Sequence, residues 1–274
     1  MPPLLTLPLH EALLSARGAG AVAIEASIDL GRSTRTIAIG ADTWSVDGVA
    51  YPYAQRCKER TVYHWSGERF EPVSRFGDGG LIKLVPTDWG PPTFENDGIK
   101  MLPTAKVDPF EDAARKVALV EPAGKTILDT CGGLGYFTQC CIARGARRIV
   151  SYEKNPDVLW LRGLNPWSPT ADAPGLELHE GDVATLIADL PSASFDAVLH
   201  DPPRFGIAGD LYSQRFYDEL ARVLRPRGLL FHYTGTPNSL TSGRDVPREV
   251  STRLHKSGFT TERNGDGVLA RRRA

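Results

Sequence analysis

Little in this chain invites a metal, a membrane or a polyanion. Cysteine is scarce: four among 274 residues, Cys57, Cys131, Cys140 and Cys141. None is spaced C-x-x-C and no His-x-x-x-His accompanies them, so no metal site is expected. The adjacent Cys140 and Cys141 fall in an expected helix, where free thiols pack as small apolar groups. That usage suits a reduced, cytoplasmic compartment. Net charge is only −1, which gives no overall pull toward nucleic acid or an anionic membrane. The run Arg271-Arg-Arg273 reads as the solvated end of a last strand. No apolar run is long enough to span a bilayer, and residues 1–14 lack the basic lead of a secretory signal. Solenoid-period repeats and low-complexity tracts are absent as well.

What is present is an ordinary globular composition, 41% hydrophobic and 24% charged, with a change of rhythm near residue 105. Residues 1–105 read as a small β-rich domain. A short helix is expected over 9–16, then alternating strands over 22–28 and 36–39. A hairpin turns at Asp47-Gly48, and further strands cover 61–65 and 81–85. From 106 to 274 strands and helices alternate, which predicts a parallel sheet with helices on both faces. Helices are expected from Pro109 to 120, over 135–144, over Pro156–Leu164, over 183–190, over 213–224 and over Val246–Lys256. Strands are expected over 126–130, Arg148–Glu153, Leu176–Glu180, Phe195–His200 and 229–233. A closing hairpin around Asn264-Gly-Asp-Gly267 adds an antiparallel edge.

Four features carry chemistry. Asp129-Thr-Cys-Gly-Gly-Leu-Gly135 places a carboxylate and a glycine turn between a strand and a helix. Gly132, Gly133 and Gly135 let a ligand approach the backbone, and Cys131 lines the same turn. Glu153 ends the second strand, where an acid can accept from both hydroxyls of a ribose. Gly181-Asp182-Val183 follows the third strand. Asp182 can accept from an exocyclic amine and Val183 can pack on the ring, while Asp182 can equally cap the next helix. The fourth is His200-Asp-Pro-Pro-Arg-Phe205. Pro202 and Pro203 fix the backbone, so that Asp201 and the nearby carbonyls can hold an amine while its lone pair attacks an electrophilic carbon.

In this order the four resemble the motifs of class I S-adenosylmethionine-dependent methyltransferases over residues 105–274. The longer strings Gly98-Ile-Lys-Met101, Asn165-Pro-Trp-Ser168, His200-Asp-Pro-Pro-Arg-Phe205, Leu211-Tyr-Ser-Gln-Arg-Phe-Tyr217 and Phe231-His-Tyr-Thr-Gly235 are similar to a family of methyltransferases best represented in archaea. The resemblance implies a Rossmann-like domain over 106–274, with a seven-stranded, mostly parallel sheet and a terminal antiparallel hairpin. It implies S-adenosylmethionine as cofactor, held by Asp129, Cys131, Gly132, Gly133, Gly135, Glu153, Asp182 and Val183. Asp201, Pro202 and Pro203 take the catalytic place, with Arg204, Phe205, His200 and Tyr233 toward the substrate. Cys131 stands where many members have glycine, and Arg204 stands where amino-methyltransferases carry an aromatic. Arg204 can therefore meet a phosphate or carboxylate.

The acceptor this implies is a nitrogen of an RNA base or of a small-molecule amine. No cysteine follows Cys141, which disfavours the covalent route of pyrimidine C5 methylation. A second reading is aminopropyl transfer. The segment from Leu211 to Tyr217 and Leu224-Arg-Pro-Arg-Gly228 also resemble spermidine synthases, which use decarboxylated S-adenosylmethionine. Their glycine run is followed by an Asp that this chain lacks. A third is a binding scaffold without catalysis.

Overall fold

In the computed structural model the described residues are 2–77, 79–204, 208–235 and 245–274. They form two compact units.

The first unit comprises Met1–Asp112 and Trp160–Trp167. It contains β1 (Leu4–Leu5), α1 (Leu7–Gly18), β2 (Ala23–Ala26), β3 (Arg35–Ile39), β4 (Thr43–Val46) and β5 (Val49–Pro52). Then come β6 (Tyr63–Trp65), β7 (Phe70–Pro72), β8 (Ser74–Gly77), β9 (Gly80–Val85), β10 (Thr93–Asn96) and β11 (Ile99–Lys100). They pair as three antiparallel sheets, β1-β6-β7, β2-β3-β4-β5 and β11-β10-β9-β8. Asp47 and Gly48 take φ of 51° and 79°, the two positive values of the hairpin turn that matches strand twist. Val46 accordingly pairs with Val49 across them. Helix α1 buries Leu9 and Leu13 in a core with Ile37, Trp44, Val46, Tyr51 and Tyr63. Trp44 stacks on Phe70 with centroids 5.9 Å apart. Because β1 pairs with β6, sheet structure in this unit begins well before the first strand expected from the sequence.

The Asn165-Pro-Trp string has a place here. Trp167 Nε1 donates to the Leu30 carbonyl at 3.0 Å, and the Arg32 guanidinium donates to the Pro166 carbonyl. The loop they grip is wound around Asp29, whose carboxylate accepts from the Ser33 N–H at 2.8 Å and the Ser33 hydroxyl at 2.5 Å. Those bonds hold the Asp29 carboxyl below the usual carboxylate range against the opposing effect of burial, which is the largest single influence on it.

The second unit comprises Ala113–Leu159 and Ser168–Ala274. Helix α2 (Pro109–Ala118) runs into it, with Asp108 Oδ1 accepting from the Phe110 N–H at 2.7 Å. Then follow β12 (Thr126–Asp129), α3 (Tyr136–Ala143), β13 (Arg148–Glu153), the start of α4 (Pro156–Leu164), whose residues from Trp160 on belong to the first unit, β14 (Leu176–Glu180), α5 (Val183–Leu186) and β15 (Phe195–His200). The chain continues through α6 (Gln214–Val223), β16 (Leu224–Tyr233), α7 (Val246–Lys256), β17 (Phe259–Asn264) and β18 (Gly267–Arg272).

These strands make one seven-stranded sheet in the order β14-β13-β12-β15-β16-β18-β17. The first five are parallel; β18 runs antiparallel to β16, and β17 antiparallel to β18. This is the Rossmann-like sheet with a terminal hairpin. All four residues of β12 are buried, as a strand covered on both faces requires. On one face Val150, Val198 and Leu230 pack with Phe216 and Leu220 of α6 and with Val250 and Leu254 of α7. Strand order reverses at β12, which has β13 and β15 as neighbours. Ligands of open α/β sheets bind outside the carboxyl ends of the strands at such a reversal. Asp129, Glu153 and His200-Asp201 all arrive at that edge.

Candidate functional site

The glycine turn is held by backbone bonds on three sides. Thr130 N–H donates to the Leu199 carbonyl at 3.1 Å, Gly132 N–H to the Tyr152 carbonyl at 2.7 Å, and Gly135 N–H to the Gly132 carbonyl at 2.7 Å. Gly133 has φ of 51° and Gly135 of 81°, the left-handed region where a side chain is strained. A Cβ built on Gly133 would meet nothing within 4 Å, so the turn presents bare backbone to open space. Ser168 closes the underside, its hydroxyl donating to the Leu134 carbonyl at 2.6 Å.

Asp129 lies beneath the turn rather than on it. Its side chain is buried, and Oδ2 accepts from the Thr138 hydroxyl at 3.0 Å and the Ser151 hydroxyl at 2.9 Å. The carboxylate expected at the cofactor instead fastens α3 and β13 to the end of β12. Cys131, the next side chain but one, is partly buried. Burial first, then the carboxylates of Glu153, Asp129 and Asp201, push its thiol well up, against the hydrogen bond from Thr130. Burial also raises Cys140 to about 11, and Cys141 further. Protonated thiols are poor nucleophiles.

Glu153 touches the turn directly. Its Oε2 accepts from the Gly133 N–H at 2.8 Å and its Oε1 from the Asn155 N–H at 2.8 Å. Asp182 does cap a helix, accepting from the Ala184 N–H at 3.0 Å, and its other oxygen meets the Lys154 ammonium at 2.7 Å. Val183 is buried beside it.

Asp201 and the residues after it form the opposite wall. Asp201 is half-buried, Pro202 buried, and Pro203 and Arg204 exposed. The Pro203 carbonyl accepts from the Tyr212 hydroxyl at 3.1 Å. Phe205 lies outside the described residues. Tyr233 is half-buried at the end of β16, and the Lys116 ammonium sits 4.0 Å over its ring. The ammonium also lies 3.6 Å from Asp266.

His200 corrects an expectation. It is fully buried, with Nδ1 2.7 Å from the Thr130 hydroxyl and Nε2 3.1 Å from the Leu211 carbonyl. Burial, and then its neighbour His232, hold its pKa well below the ordinary histidine value. Its side chain does not reach the surface where a substrate would bind. Thr130 and Leu211, which complete these contacts, carried no signal of this role in the sequence: Thr130 lies on another strand's end far along the chain, and Leu211 acts through its backbone carbonyl.

Among the described residues no three His, Cys, Asp or Glu side chains group to hold a metal ion, and no helix is long and apolar enough to cross a membrane. No protein-family model matches the chain. An uncharacterised protein of Methanocaldococcus jannaschii, MJ1233, is 42% identical over 204 residues, which is 74% of this chain and 69% of that protein. A Mycobacterium tuberculosis polyamine aminopropyltransferase is 33% identical over 136 residues, 44% of this chain but only 26% of its own length. A Mycolicibacterium smegmatis protein described as a probable S-adenosylmethionine-dependent methyltransferase is 31% identical over 155 residues, 51% of this chain and 54% of that one. Among solved structures, spermidine synthase from Thermotoga maritima aligns with a TM-score of 0.55 and 18% identity over 73% of this chain and 71% of that one, a likeness of fold alone. The chain thus belongs to the family of the M. jannaschii protein MJ1233, and its second unit has the Rossmann-like fold that class I S-adenosylmethionine-dependent methyltransferases share with spermidine synthases.

Proposed function

We propose that the protein is an S-adenosylmethionine-dependent methyltransferase that moves the methyl group directly to a nitrogen of an RNA base or another amine. One observation carries the reading. The bare backbone at Gly133 and the Glu153 carboxylate bonded to it lie where the strand order reverses, and Asp201 follows the neighbouring strand β15. These residues fit the cofactor, because a carboxylate beside an uncovered glycine turn suits a ribose and the charged group it carries.

Bound S-adenosylmethionine supplies a methyl carbon already activated by its sulfonium, so alignment is what the chain must add. Glu153 accepts from the ribose hydroxyls while it holds the turn. Gly132, Gly133 and Gly135 admit the amino-acid end against the backbone, with Cys131 alongside. Asp182 and Val183 flank the adenine. Asp201 accepts from the acceptor amine and turns its lone pair toward the methyl carbon. Pro202 and Pro203 keep that carboxylate from wandering, and Arg204, exposed beside it, meets a phosphate or carboxylate of the substrate. Asp129 acts one layer below, through Thr138 and Ser151.

A second reading, aminopropyl transfer from decarboxylated S-adenosylmethionine, is favoured by the relative that is 33% identical over 136 residues. Against it, the residues flanking Gly135 are Leu134 and Tyr136, both buried and neither acidic. Titration calorimetry with both cofactors separates the two. Radiolabelled methyl transfer into fractionated RNA, protein and small molecules then finds the acceptor. Binding of S-adenosylmethionine without transfer into any fraction would favour a scaffold.

A further inference from the structure

We propose that His200 is a positioning residue, one that locks the Asp201-Pro-Pro203 wall to the strand carrying the glycine turn. The proposal rests on reading Asp201 as a substrate-side group.

Two contacts fix the histidine's chemistry. A carbonyl only accepts, so the 3.1 Å contact with Leu211 requires the proton on Nε2. Burial keeps the ring neutral, so Nδ1 carries no proton and accepts from the Thr130 hydroxyl at 2.7 Å, in preference to the longer contact of that hydroxyl with Cys131 at 3.7 Å. The ring is neutral, in one tautomer, with both nitrogens engaged. His232 stands edge-on to it at 4.4 Å between centroids. That second ring is itself held, by the Tyr217 hydroxyl at 3.0 Å and by the Tyr233 carbonyl at 2.8 Å. Neither ring has room to swing.

The bonds form a continuous path. It starts at Thr130, which sits between Asp129 and the glycine turn and is also tied to β15 through the Leu199 carbonyl at 3.1 Å. It crosses His200 to Leu211. The next residue, Tyr212, returns to the wall by donating to the Pro203 carbonyl at 3.1 Å. Asp201 is therefore gripped on both sides, by His200 before it and by Pro203 after it. The two grips meet at Leu211-Tyr212. A cofactor seated on the turn and an acceptor held by Asp201 are kept in register by this path. Misplacing either partner by about 1 Å costs on the order of a hundredfold in rate.

Replacing His200 itself leaves a hole in the core, so the test uses two near-isosteric variants at the ends of the path. Thr130→Val removes the hydroxyl that Nδ1 accepts from, and Tyr212→Phe removes the one on Pro203. Nitrogen-15 spectra of the imidazoles should show wild-type His200 protonated at Nε2 alone between pH 8 and pH 5. The Ala208 and Leu211 amides, bonded to the Arg204 and Ala208 carbonyls, should exchange with solvent about fivefold faster or more in Thr130→Val, since local opening follows loss of a local tie. Methyl-transfer kcat should fall about 10- to 100-fold in each variant, with KM for S-adenosylmethionine within about twofold. The double variant should be no slower than the worse single, because one broken link already frees the wall.

Unchanged exchange at Ala208 and Leu211 in Thr130→Val, or losses that multiply in the double variant, would overturn the proposal. Failure of the methyltransferase reading looks different. The wild type then transfers methyl to no acceptor, while the His200 tautomer and the exchange effect persist, and the wall is still locked by His200.

Discussion

The proposed function gives the Glu153 carboxylate a second load beside the turn it holds, and the two can be measured apart. In the free protein it accepts from two backbone N–H groups, of Gly133 and Asn155. With cofactor present it is to accept from the ribose as well, at roughly 1.5–3 kcal/mol for each charge-assisted bond. Glu153→Ala should therefore weaken S-adenosylmethionine binding by about tenfold or more in titration calorimetry. An unchanged Kd would leave Glu153 with the turn alone. Asp201→Ala should act on the other side of the reaction, abolishing turnover with Kd within about twofold. Joint loss of binding and turnover would remove Asp201 from the substrate side. The buried histidines give a pH prediction. His232 is pushed down to about 4, by burial above all, and His200 shifts in the same direction. Their folded values lie below the unfolded one near 6.5, so the unfolded chain binds more protons as pH falls. Stability is full above about pH 6.5 and is lost on descending toward pH 4. For His232 alone the loss is on the order of 3 kcal/mol. Urea midpoints at pH 7 and pH 5 should show the decline, and replacing His232 by Phe should flatten it.

At the scale of elements, capping and pairing decide what was readable. Ser213 accepts from the Phe216 N–H at 3.1 Å at the start of α6, which bears Phe216, Tyr217 and Leu220 on its buried side. Ser213→Ala should cost about 1 kcal/mol in equilibrium unfolding. A change within error would mean that packing alone sets the start of that helix. Strands β13 and β15 and helix α4 stand where hydrophobic runs and a proline start placed them, because their signals are local. Strand β16 does not. It begins at Leu224, through Arg225-Pro-Arg-Gly228, a stretch that reads as a loop. It is a strand because Leu224 pairs with Phe195 across a register irregularity, which only the neighbouring strand reveals. The site divides the same way. The positions of Glu153, Asp182 and Asp201 at strand ends followed from their order in the chain. The inward turn of Asp129 and His200 did not, since it depends on Thr138, Ser151, Thr130 and Leu211, each from another segment.

For the whole molecule, the choice between two transfer reactions rests on what the second unit binds. S-adenosylmethionine should raise the melting temperature, as any ligand of the folded state does, and the decarboxylated form should do so less at equal concentration. The reverse order would favour aminopropyl transfer. The sheet's last pairing has another consequence, for how the protein is made. Strand β18 is later in the chain than β17 yet lies inside it, between β17 and β16. A nascent chain therefore cannot add strands to this sheet in the order they leave the ribosome. Until Gly267–Arg272 emerges, β16 has an open edge on that side and β17 has nothing to pair with. Open edges invite wrong partners. Ribosome-bound chains arrested before Gly267 should thus stay protease-sensitive across β15 and β16, and chains arrested with β18 clear of the tunnel should resist.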